Sequence, residues 1–106
     1  MQMPKYMILF KANTSAWPSD SKQILAIWEG AIAGSEMLFK EGQLKEVGWF
    51  TNTEGYAIVE SDSKDKVLEL VNHFFPFFSQ EIHEIVPWER AKEALLNSAR
   101  MNASHS

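Results

Sequence analysis

Apolar and polar positions alternate along some stretches of this chain and recur every three or four residues along others. KYMILFKA (5–12) sets Tyr6, Ile8 and Phe10 against Met7, Leu9 and Lys11. Both sets are largely apolar, which predicts a central strand covered on both faces. From Ser21 to about Lys40 the spacing becomes helical. Ile24, Leu25, Ile27, Trp28, Ala31, Ile32, Ser35 and Leu38 form a stripe, with Ser19 or Asp20 as the cap after Pro18. Gly30 and Gly34 are weak helix formers inside it and leave room for something to approach closely. The helix is expected to stop near Gly42.

LKEVGWFTNTEGYAIVE (44–60) reads as a hairpin, with NTEG as the turn and Gly55 free to take a positive φ. A second helix follows a cap signal at 61–63 and offers Val67, Leu68, Leu70, Val71, Phe74 and Phe75 to a core. Pro76 lacks an amide donor and clashes one turn back, so this helix should end near Phe75. QEIHEIVP (80–87) alternates again, with Ile82, Glu84 and Val86 opposite His83 and Ile85. PWERAKEALLNSAR predicts a short third helix, and MNASHS reads as a frayed tail. One domain is expected over 1–98, with 99–106 as a disordered tail.

The order strand, helix, strand, strand, helix, strand, helix predicts an α+β fold. It is the ferredoxin-like βαββαβ plan: a four-stranded antiparallel sheet with both main helices on one face and a short C-terminal helix. Helices on one face leave the other bare, yet the first strand is apolar on both. A second copy, in a two-fold homodimer, is the expected cover.

Composition narrows the picture. A chain of 106 residues suffices for one ordinary domain, and the absence of cysteine excludes disulfides and thiolate chemistry. That absence and the lack of a signal-like apolar core near the start fit a cytoplasmic protein. No stretch is apolar enough to span a membrane. A net charge of −4 with scattered Lys and Arg gives no footprint for nucleic acid. Aromatics at 12%, four of them Trp, leave some for an interface or a pocket.

Three stretches carry a family resemblance: KYMILFKA, VGWFTNTEGYAIVE and IHEIVPWERAKEAL, covering about residues 4 to 95. On them the chain resembles the small DUF3303 proteins of the dimeric α+β barrel superfamily. That superfamily includes the antibiotic biosynthesis monooxygenases, muconolactone isomerases, haem-handling chlorite dismutases and ligand-binding regulator domains. The resemblance implies a dimeric barrel with an aromatic-lined pocket between sheet and helices. It supplies no catalytic motif.

The candidates for chemistry are few. His83, mid-strand, is the best acid–base candidate, and alternation alone leaves open which layer it faces. Glu60, beside Tyr56 and Ile58, is the most interesting carboxylate. Both also have structural readings: a hydrogen-bonded or interface histidine and a solvated strand-end acid. Trp28 and Trp49 read as pocket walls, with Tyr6, Tyr56, His73 and Phe74 contributing, and would suit a small apolar or aromatic ligand. Trp17 and Trp88 flank prolines and read as loop clamps. The three histidines lack the spacing of a metal site, no HExxH or glycine-rich phosphate loop occurs, and no cofactor is implied. Three functions stay open: a ligand-binding dimeric barrel, a cofactor-independent monooxygenase or isomerase for a phenolic or lactone-like substrate, and a structural or interaction domain without a pocket.

Overall fold

The computed structural model describes residues 3–74 and 76–104. Expectations that fall on Phe75 and His105 lie outside them. The elements are β1 (Lys5–Ala12), a 3-10 turn (Thr14–Ala16), α1 (Ser21–Lys40), β2 (Leu44–Trp49), β3 (Glu54–Glu60), α2 (Lys64–Asn72), β4 (Phe78–Ile85) and α3 (Trp88–Ser104). The strands form one antiparallel sheet in the order β2-β3-β1-β4. The chain order and the antiparallel sheet thus follow the expected plan. Closure does not. β2 and β4 are the sheet's two edges and do not pair with each other, so the sheet is open and the chain is not a barrel.

Local chemistry sets the element ends. The Asp20 carboxylate accepts from the Lys22 amide at the start of α1 (3.1 Å), and Ser63 does the same for Lys66 at the start of α2 (3.3 Å). α1 ends at Lys40, followed by Gly42 at φ 82°, the left-handed conformation glycine adopts without cost. α2 stops at Asn72, three residues before the expected limit, with His73 capping it. β4 begins at Phe78, two residues earlier than its alternation suggests. α3 runs to Ser104, through the stretch whose composition reads as a tail.

Opposed residues in an antiparallel pair point to the same side of the sheet. The register therefore sorts every strand residue by face. Tyr6, Ile8, Ala57, Val59 and Leu44 point to the helices and form the buried core with Val67 and Val71 of α2. Phe10, Leu38, Leu70 and Ile82 pack against that core. The opposite face carries Met7, Leu9, Tyr56, Ile58 and His83, and among the described residues no helix packs extensively on it. The double-sided apolar pattern of β1 is real, but within one chain only one side is buried.

Gly55 corrects a sequence expectation. It lies inside β3 rather than in the turn, and Gly42 is the one described glycine with positive φ. A Cβ on Gly55 would sit 2.4 Å from the Gly48 carbonyl oxygen and 2.8 Å from the Phe10 ring. Close approach, not turn geometry, demands glycine here. The turn is instead shaped by Thr51, whose hydroxyl accepts from the amides of Thr53 (3.1 Å) and Glu54 (3.0 Å).

Candidate functional site: the aromatic cleft

α1 crosses the helix-side face of the sheet without burying any of its own residues, and a cleft remains beneath it. Its volume is about 270 Å³. The floor comes from Ile8, Ala57 and Val59, and the wall from Phe10, Trp28, Trp49 and Phe78. The aromatic walls are one packed group. Trp28 meets Trp49 and Phe78 at 5.8 Å between ring centroids, Phe10 meets Trp49 at 4.9 Å, and Trp17 meets Trp28 at 5.2 Å. Most pairs are edge-on, the geometry the ring quadrupoles favour.

Three hydrogen bonds hold this group in place. The Trp17 indole N–H and the Asn13 backbone N–H donate to the Phe77 carbonyl (2.7 and 2.8 Å), and the Asn13 side-chain amide donates to the Pro76 carbonyl (3.1 Å). They tie the loop after β1 to the turn before β4. The dense run NHFFPFF is thus mostly a packed junction: Pro76 and Phe77 offer carbonyls to that loop, and Phe78 turns inward to the cleft. Trp17 clamps a loop as expected. Trp88 does not, because it is 67% exposed.

The structure divides the sequence-predicted site residues. Trp28, Trp49 and Phe74 border the cleft. Tyr6 is buried in the core beside it, and burial, with help from Glu84, Asp62 and Asp65, raises its phenol pKa. His73 borders a separate trough between α1 and α2. Tyr56 lies on the uncovered face, where its hydroxyl donates to the Glu46 carboxylate. That bond raises the Tyr56 pKa, since the carboxylate stabilises the protonated phenol.

His83 and Glu60 are also on the uncovered face, opposite Met7 and Lys5 of β1. His83 meets Glu81 (3.2 Å) as an exposed pair, and the half-buried Glu60 meets Lys45 (3.2 Å). The sheet stands between these two residues and the cleft. A monooxygenase or isomerase built on His83 or Glu60 at the pocket wall is therefore overturned.

Sequence reading missed Phe10, Phe78 and Gln80 and placed Glu36 off the apolar stripe of α1, yet all four border the cleft. Glu36 is the one charged side chain among its described lining residues. Its position on α1, one residue past Ser35 of the apolar stripe, was the available signal. Ser35 also lines the cleft, but its hydroxyl already donates to the Ala31 carbonyl (2.8 Å). Among the described residues, no three His, Asp or Glu side chains gather as a metal site would need.

No protein-family model matches the chain and no curated protein is similar to it. The DUF3303 resemblance and the dimeric barrel superfamily are therefore not supported, and the open sheet lacks the closure that they implied. What stands is a small α+β chain with a four-stranded antiparallel sheet. No helix among the described residues is long and apolar enough to cross a membrane.

Proposed function

We propose that the aromatic cleft is a contact site for a small organic cation with a flat apolar body. The observation that carries this reading is the pairing of Trp28 and Trp49 with Glu36 at one cleft. Tryptophan faces attract cations, by about 0.5–1 kcal/mol at exposed sites. A carboxylate nearby adds a second preference of the same sign. At about 270 Å³ the cleft lies just below the roughly 300 Å³ of ordinary ligand pockets, so the occupant is fragment-sized. Among the described lining residues none pairs a nucleophile with a base, and binding is the role this reading assigns. The cysteine-free composition supports a cytoplasmic setting.

The test is a tryptophan-fluorescence titration with 2-phenylethylammonium and, as a neutral match, 2-phenylethanol. The cation should give a saturable change and bind more tightly. Glu36→Gln should reduce that preference about threefold, in keeping with an exposed ion pair. Equal responses to both probes, or none, would reject the reading.

A second reading concerns the uncovered face and is favoured by its register. Met7 stands opposite Ile58 and Leu9 opposite Tyr56, so four apolar side chains form a two-by-two block at the centre of the face. Phe50 extends it by stacking on Tyr56 at 5.6 Å. Lys5, Lys11, Glu54 and Glu60 lie at the strand ends around it. An apolar centre with a charged rim is the layout of an association surface. A second copy, stacked face to face with each sheet remaining open, is the occupant this reading assigns. Sedimentation velocity over a wide concentration range should show a dimer that Leu9→Glu weakens.

A further inference from the structure

α3 leaves the body of the molecule. None of its residues is buried, no described element packs extensively against it, and the molecule measures 63 × 31 × 22 Å. Yet its sequence is amphipathic. Trp88 and Leu95, seven residues apart, lie in line on one side, and are 67% and 64% exposed. Glu89, Glu93, Asn97 and Arg100 occupy the other side. In proteins, helical stability comes mostly from packing an amphipathic face against a surface.

A matching surface exists on α1. Its half-buried stripe faces the sheet, but Leu25, Ile32 and Phe39 form a second stripe at seven-residue spacing. They are 57%, 57% and 43% exposed. Residues seven apart lie nearly in line along a helix, and two such stripes can interlock over their length. The charges agree as well. Glu29 and Glu36 flank the α1 stripe, and Lys92 flanks the α3 stripe. Lys92 now holds Glu89 at 2.7 Å, a surface pair that is cheap to exchange.

We propose that α3 of one chain packs along the Leu25–Ile32–Phe39 stripe of α1 in a second copy, exchanged reciprocally about a two-fold axis. This rests on the homodimer reading above and names the elements that carry it. Area favours a second copy over an unrelated partner. Helix dimensions give α3 a length of about 25 Å and a contact strip about 10 Å wide, so one contact buries roughly 500 Å² in total. A reciprocal pair doubles this to roughly 1,000 Å², the threshold for a specific interface. Donor and acceptor stripes on the same chain close this arrangement at two copies. Because Ile32 and Phe39 also border the aromatic cleft, the docked helix would roof it.

The chain contains no cysteine, which makes the test direct. Ile32→Cys and Leu95→Cys are made singly in the full-length chain, mixed, oxidised and run without reductant. A covalent dimer from the mixture, well above that from either variant alone, is the expected result. Leu95→Glu should weaken the dimer at least about tenfold in sedimentation while leaving the circular dichroism spectrum folded. A wild-type dimer that is insensitive to Leu95→Glu and gives no cross-link overturns this inference and leaves the sheet-face reading intact. A chain that remains monomeric at every concentration overturns both, and leaves α3 to a different protein.

Discussion

Trp28 of α1 and Trp49 of β2 meet with ring centroids 5.8 Å apart and planes inclined at 53°. This contact joins a helix to an edge strand across the mouth of the cleft. Trp28 is also packed on Trp17 and Phe78, whereas Trp49 has Phe10 as its other ring partner and is 45% exposed. The two residues therefore differ in what they hold together.

Truncating them separates the roles. Trp28→Ala removes contacts to three rings and should destabilise the fold by about 2–4 kcal/mol, below the top of the range for a fully buried aromatic. Trp49→Ala should cost about 1–2 kcal/mol, since much of its surface is already in water. Urea melts of both variants provide the measurement. A larger loss for Trp49 would contradict the assignment of Trp28 as the central ring.

The glycines divide equally sharply. Gly55→Ala forces a methyl group onto the Gly48 carbonyl and the Phe10 ring, and overpacking of this kind costs about 1–3 kcal/mol. Gly30→Ala and Gly34→Ala meet nothing within 4 Å. Each should stabilise α1 by about 0.5–1 kcal/mol, through helix propensity and the loss of freedom in the unfolded chain. Thermal melts should therefore move in opposite directions for Gly55 and for the helical pair.

Tyr6 and Tyr56 are the only tyrosines, and both have raised pKa values. Burial is the main cause for Tyr6, and the hydrogen bond to Glu46 for Tyr56. A pKa raised on folding means a contribution to stability that is complete below the unfolded value, about 10. It is lost as pH rises through the folded values. Absorbance at 295 nm should show no tyrosinate step at the ordinary phenol pKa while the protein is native. Tyr56→Phe should remove one of the two late steps. A step near 10 in the native protein would contradict both assignments.

Much of this fold was legible because its determinants are local. The period of α1 could be read from Ile24 to Leu38, and its limits agree with the Asp20 cap and Gly42. The alternation of 5–12 likewise marked a central strand. What could not be read depends on pairing between distant residues. Gly55 looked like a turn glycine because the turn signal NTEG ends on it. Only the register against Gly48 and Phe10 reveals a steric need. His83 and Glu60 looked like pocket residues, but their layer was decided by which face of β1 met α2. Glu36 lies off the apolar stripe of α1, yet it borders the cleft. Barrel closure depended on a family likeness alone, and no local pattern in the chain required it.

The two borders of the open sheet differ in kind. β2 carries a register shift between Leu44 and Glu46, while β4 pairs regularly with β1 over its full length. An irregular border presents its amides out of step, and an incoming extended segment cannot match it over many residues. The regular border has no such guard in its backbone, and its protection comes from the ionic side chains Glu81, His83 and Glu84. Addition of a further strand is therefore easier at the β4 border. Neutralising those side chains should make that border more prone to pair with another chain than comparable changes along β2.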